Sequence, residues 1–255
     1  MAISPLYSRN TNSALNNSPP ASGFWQLASA AMTTLQLHPY LEQTACWPRS
    51  GRHILAQFDA DSILVYQAYN ERIGHFAAQN GHFGGDFSFN RMSWIKPNFL
   101  WMMYRSGWAE KYNQTCILAV RIRRSLWEEI LASAVPSTFV PELYESDNAW
   151  KADVAHSEVR LQWDPDHSPR GGKLARRAVQ LGLRGDILRR FATEALAIED
   201  ISDFVREQKT IVQTDDWSSL LTLREEVYPV LNPETARRVG VDSLEVGRAS
   251  SQMPS

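Results

Sequence analysis

The feature that most constrains the fold is the run Ile63-Leu64-Val65-Tyr66-Gln67-Ala68-Tyr69, which is apolar at nearly every position. A segment this short without alternation reads as a strand covered on both faces, so other elements must pack above and below it. The cover is visible in the sequence that follows. Asn70 is placed to cap a helix that turns Ile73, Phe76 and Ala77 inward and ends at Asn80-Gly81. A second extended segment is expected from Phe87 to Ile95, stopped by Pro97, and a short helix from Asn98 to Arg105 ends at Gly107. The strand Cys116–Ile122 runs into Ser125-Leu126-Trp127-Glu128, which reads as a capping box opening an amphipathic helix. Val159–Asp164 and Val179–Leu183 alternate apolar and polar side chains with period two, as half-covered strands do. A further helix is expected near Asp186, with Ile187, Leu188, Phe191 and Ala195 inward. The class this implies is mixed α/β.

Within the 255 residues, composition divides the chain unevenly. Residues 1–22 are rich in Ser, Asn and Pro and read as disordered. Residues 23–50 read as a helical appendage, 51–208 as the core domain, and 209–255 as a helical extension with a polar tail. The net charge of −2 argues against a general nucleic-acid coat or a binder of anionic membranes. Arg105, Arg121, Arg123, Arg124, Arg170, Arg176, Arg177 and Arg184 nevertheless gather in the middle, so a local basic site is compatible with a neutral whole. Cys46 and Cys116 sit in no CxxC, and the six histidines have no metal spacing, so neither zinc nor another metal is expected. Reduced thiols, no transmembrane window and no secretory leader point to a cytoplasmic protein.

Candidate ligand chemistry concentrates in Arg91 to Trp108, which packs Trp94, Trp101, Trp108, Tyr104, Arg91, Lys96 and Arg105 into eighteen positions. Aromatics beside cations can stack a base while holding phosphate. The plainer reading makes Trp101, Met102 and Met103 core and pairs Arg91 and Arg105 with carboxylates. Lys96, fixed between Ile95 and Pro97, reads as a ligand contact. Gln67 lies inside an apolar strand, where its amide must either tie strands together or meet a ligand. If Val159, Leu161 and Trp163 face the core, then Arg160, Gln162 and Asp164 share the other face, with Gln180 and Arg121 able to join them around one cleft. A solvated sheet face is the alternative. The loop Asp164–Gly172, carrying His167, could cover such a cleft or be plain surface. No Walker loop, GxGxxG or GxSxG is present.

Taken together, Val65–Tyr69, Arg91–Trp108, Val159–Pro165 and Gln180–Gly185 resemble the family called domain of unknown function 4291 over about residues 52–206. That resemblance implies a fold unit rather than a reaction. The order of elements, from the Tyr66-Gln67 strand through Gly81-His82-Phe83 and the Ser93 strand to Ile117–Ile122, is also similar to the layout of ADP-ribosyltransferases. This likeness implies an α+β fold with a split mixed or antiparallel sheet flanked by helices, and NAD held across the split. On it, Gln67 stands at the first ribose-contacting position, Ser93 near the second, and Gln180 where that family carries Glu. The catalytic candidates are then Gln67, Asp164 and Gln180, and the ligand candidates Tyr66, Arg91, Ser93, Trp94, Lys96, Arg105, Gln162 and Arg184. A non-catalytic module for a nucleotide or single-stranded nucleic acid, and an interaction protein with no ligand, stand beside the transferase. All the ligand readings require Arg91, Lys96, Gln162 and Gln180 to converge on one hollow.

Overall fold

The computed structural model describes residues 35–243. The expected disordered segment 1–22, the first part of the appendage and the end of the polar tail lie outside the described residues. In chain order the elements begin β1 (Leu37–Pro39), α1 (Tyr40–Cys46), β2 (Gly51–Arg52), β3 (Leu55–Ala56), β4 (Ser62–Tyr69), α2 (Glu71–Asn80), β5 (Ser93–Ile95), α3 (Phe99–Ser106) and β6 (Cys116–Arg123). They continue α4 (Arg124–Ala132), β7 (Ala134–Pro136), α5 (Asp147–His156), β8 (Val159–His167), β9 (Lys173–Leu183), α6 (Gly185–Thr193), β10 (Ala197–Asp200), α7 (Ser202–Val212), β11 (Leu221–Leu223), β12 (Glu226–Val227) and α8 (Pro233–Val239). No described helix is long and apolar enough to cross a membrane.

The class is α+β, and two sheets carry it. β4 and β10 flank β6 in an antiparallel three-stranded sheet. β4 and β6 are buried at almost every position, because helices and the second sheet cover them. The second sheet is mixed. β8 and β9 form a long antiparallel hairpin, β7 adds in parallel to β8, and β2 and β5 share the far edge of β9. One backbone bridge joins the sheets, with Tyr66 N donating to Lys96 O (2.7 Å) and Lys96 N to Tyr66 O (3.2 Å).

Local chemistry places these elements. Asn70 and Asn98 cap α2 and α3 through side-chain oxygens that accept from Ile73 N and Trp101 N, and Gly81 and Gly107 close the two helices in the left-handed conformation. The capping box expected at Ser125 is absent. β6 runs straight into α4, whose cap position, Arg123, makes no side-chain bond. Of the extended segment expected over 87–95, only Ser93–Ile95 pairs. Asp164–His167 is not a covering loop but the end of β8, and only residues 168–172 turn the hairpin, held by Ser168 N to Gly172 O. His167 is consequently buried, its ring stacked 3.5 Å from that of Tyr104, and burial depresses its pKa.

The segments set apart in sequence are packed into this unit, which starts at Gln36. β1 pairs with β11 and β3 with β12. Gln43 of α1 donates to Thr222 Oγ1 (2.7 Å), and Trp47 Nε1 to Glu225 O (2.8 Å). Tyr228 and Val239 belong to the main apolar core. A boundary at residue 208 therefore falls inside α7 and divides nothing, because the short strands beyond it supply core side chains and cover an edge.

Candidate functional site

Where the two sheets part, a cavity of about 560 Å³ opens. Its wall brings together Gln67 from β4, Arg91, Ser93, Trp94 and Lys96 from the β5 segment, and Arg105 from α3. Gln162 of β8 and Gln180 of β9 complete that wall. Arg91, Lys96, Gln162 and Gln180, distant in sequence, therefore face one hollow. Its size lies inside the roughly 300–1,000 Å³ range of small-molecule sites.

Lys96 dominates the electrostatics. It is 4 % exposed, and its Nζ makes no hydrogen bond or ion pair with any described residue. Its backbone is tied to Tyr66 and Pro97 follows it, so the chain holds the ammonium inside. Burial first, and the nearby Arg105 second, lower its pKa to about 7, with Asp164 opposing. Arg91 and Arg105 are exposed cations at the rim. The lining carboxylate Asp86 is already paired with Arg72 at 2.7 Å, so the cavity keeps a positive surplus.

The polar framework is made of amides. Gln162 and Gln180 are directly opposed across the β8–β9 pair, and Asp164, two residues along on the same face, accepts from both Nε2 atoms at 2.9 and 2.8 Å. By accepting from both Nε2 atoms, the Asp164 carboxyl fixes the orientation of both amides and leaves their carbonyl oxygens without a described partner. Gln67 is 2 % exposed. Its Nε2 donates to Ser93 Oγ (2.8 Å), its Oε1 has no partner, and Tyr69 Oη shares Ser93 Oγ at 2.6 Å. Burial pushes the Tyr69 hydroxyl up to about 12, so it stays neutral. Gly182 lies opposite Trp94 in the β5–β9 pair, where an added Cβ would fall 2.5 Å from Met92 Sδ and 3.1 Å from the indole. Glycine there lets the β5 segment lie flat against β9.

Several residues expected at the site are not part of its wall. Tyr66 is fully buried and stacks edge-on against Phe99, because its side chain alternates to the face opposite Gln67, and it serves the site through its backbone alone. Arg184 turns to the C-terminal end of α5, donating to Ser157 O (2.8 Å) and Ala155 O. Asp164 stands behind the two glutamines rather than at the wall. Arg121, expected to join the same cleft, instead reaches Ser62 Oγ (3.1 Å) at the opposite end of β4. Trp101, Met102, Met103 and Trp108 are core, Met102 also reaching the cavity. Among the described residues, Arg91 and Arg105 are not paired with carboxylates.

Sequence reading missed Tyr69, Asn70, Tyr112, Asn113 and Gln114, which also line the cavity. Tyr69 follows Gln67 by two positions and shares its face, a signal available from period two. The loop residues carried no signal. Their loop is strained: Trp108, Ala109 and Asn113 hold φ of 58°, 66° and 59°, where side chains other than glycine are disfavoured.

Fold and site define a class: an α+β domain with a cationic, amide-lined cavity between two sheets. The family can be named as well. The model described as Domain of unknown function (DUF4291) matches residues 53–228, and the chain belongs to that family. The match runs past the expected end near 206, in keeping with the burial of Leu220, Leu223 and Tyr228. Comparison with curated proteins finds no match.

Proposed function

We propose that the cavity binds an anionic, nucleotide-like small molecule, with NAD the first candidate. The observation that carries this reading is the buried Lys96 side chain, whose Nζ makes no hydrogen bond or ion pair with a described residue, in a cavity with two further cations at its mouth. A buried unpaired charge is unfavourable, and an anionic ligand group relieves it. Three glutamine carbonyl oxygens free to accept suit a ligand that also carries donors, such as an exocyclic amine, a carboxamide or ribose hydroxyls. An interaction protein without a ligand would have Lys96 fully paired and no adjoining hollow. A platform for single-stranded nucleic acid would need a series of exposed aromatics, whereas Trp101 and Trp108 are buried.

Isothermal titration of the protein with NAD, ADP-ribose and AMP tests this. Saturable binding that Lys96→Met weakens at least ~10-fold is expected from the loss of a charge-assisted contact. No heat from any of the three at millimolar ligand, or equal binding by the variant, refutes it.

Transfer of ADP-ribose is the finer form of the same reading. In it Gln67 and Gln180 flank the nicotinamide ribose and Asp164 serves acid–base chemistry. The geometry favours binding over transfer, because Asp164 is engaged with two amides and set back from the wall. Release of nicotinamide from NAD by the wild type, abolished by Asp164→Asn, would support transfer; its absence under conditions of proven NAD binding leaves the binding module.

A further inference from the structure

We propose that His75, Cys116 and Asp200 form a binding site for a divalent cation of the zinc class, separate from the cavity described above. The three residues come from α2, the first position of β6 and the last of β10, which pack together. Each offers one ligand atom, and these atoms all lie within 4.8 Å of one another. His75 Nε2 stands 3.6 Å from Asp200 Oδ2. The other carboxylate oxygen, Oδ1, accepts from Ser202 N (2.9 Å) and Ser202 Oγ, which orients the carboxylate as an outer-shell partner does.

The sulfur is held as firmly. Cys116 is buried under Gly74, where an added Cβ would come within 2.1 Å of Sγ, so only glycine lets α2 settle onto the thiol. His75 and Asp200 are 54 % and 28 % exposed at their side chains, so the set opens to solvent on one side and ends in sulfur on the other. That depth removes Cys116 as a nucleophile for a bulky substrate but admits an ion. Zinc bonds of about 2.0–2.3 Å set ligand–ligand edges of roughly 3.3–3.7 Å in a tetrahedron, and the 3.6 Å between His75 Nε2 and Asp200 Oδ2 already matches such an edge. Binding displaces the Cys116 thiol proton to solvent, and the resulting thiolate with the Asp200 carboxylate balances the dication. The mixed sulfur, nitrogen and oxygen set selects zinc-like ions over magnesium or calcium, and the fourth position is left to water.

The test is titration of Co²⁺ into the full chain carrying Cys46→Ser, so that Cys116 is the sole thiol. A sulfur-to-cobalt charge-transfer band should appear, be displaced by Zn²⁺, and be unaffected by excess Mg²⁺. His75→Ala, at an exposed position that folding tolerates, and Asp200→Asn should each weaken cobalt binding more than ~10-fold. Absence of the band, its persistence at full affinity in both variants, or its displacement by Mg²⁺ overturns the proposal.

Discussion

Replacing Lys96 by Met should stabilise the protein, and by an amount that depends on pH in a way the cavity dictates. Lowering the ammonium from its ordinary 10.5 to about 7 corresponds to roughly 5 kcal/mol of unfavourable charging in the folded state. The folded pKa lies below the unfolded one, so between them the unfolded chain binds more protons and stability climbs with pH. Below pH 7 both states carry the charge and the full cost persists; above about 10.5 neither does and it vanishes. Methionine has similar length and no charge, so the variant escapes the cost at every pH. Its advantage should be about 4 kcal/mol at pH 7, about half that at pH 9, and near zero at pH 10.5. Urea unfolding followed by tryptophan fluorescence at pH 6, 7.5 and 9 measures this, the midpoint rising by roughly 1–2 M at the lowest pH. Equal or lower stability of Lys96→Met at pH 6, or a gap that fails to narrow by pH 9, would show that Lys96 is compensated and that the cavity lacks an unsatisfied cation.

Other substitutions separate the site from its scaffold. Arg105→Ala should weaken binding of ADP-ribose about 10-fold in calorimetry while moving the urea midpoint little, since Arg105 is exposed and makes no ion pair. Asp164→Ala releases both Gln162 and Gln180, and a loss of about 2–3 kcal/mol in urea unfolding is expected, with weakened ligand binding beside it. Arg176→Met leaves Asp166 as a buried charge without its 2.6 Å partner and should cost about 3–5 kcal/mol, read as a fall of roughly 10 °C or more in Tm. Ala109→Gly relieves a left-handed alanine beside the cavity loop and should gain about 0.5–1 kcal/mol in the same melt.

Much of the site could be read from the chain because its signals are local. The α3 helix announces itself by Asn98, by a buried stripe and by Gly107, and Lys96, fixed between Ile95 and Pro97, stands out as a candidate contact that the structure places on the cavity wall. Period two put Gln162 and Asp164 on one face, and the hairpin then set Gln180 opposite Gln162. What stayed hidden depends on distant partners. Arg184 ends at carbonyls of α5, an association that no spacing encodes. The strands β1, β11, β3 and β12 have only two or three residues, too few to display a period, and their partners lie far along the chain, as in the bond from Trp47 to Glu225 across 178 positions. Short composition-poor segments of this kind look like tails until they are paired.

The same bridge that joins the sheets explains why the cation cannot escape its cost. A surface lysine places its stem on apolar atoms and its head in water. Lys96 cannot do so, because its backbone is clamped to β4 by two hydrogen bonds while the preceding residues are zipped onto β9. Freeing the ammonium would break the backbone bridge between Tyr66 and Lys96 that ties the two sheets. The charge therefore stays at the floor of the cavity, with Arg91 and Arg105 at its rim. A point charge fixed at the bottom sets where an anionic group must sit, and the guanidinium forks above it are free to follow a longer polyanion outward. On the proposed reading, the glutamines, oriented by Asp164, meet the neutral part of the ligand. This division of labour fits a molecule with a compact polar head and an anionic tail better than a simple inorganic anion.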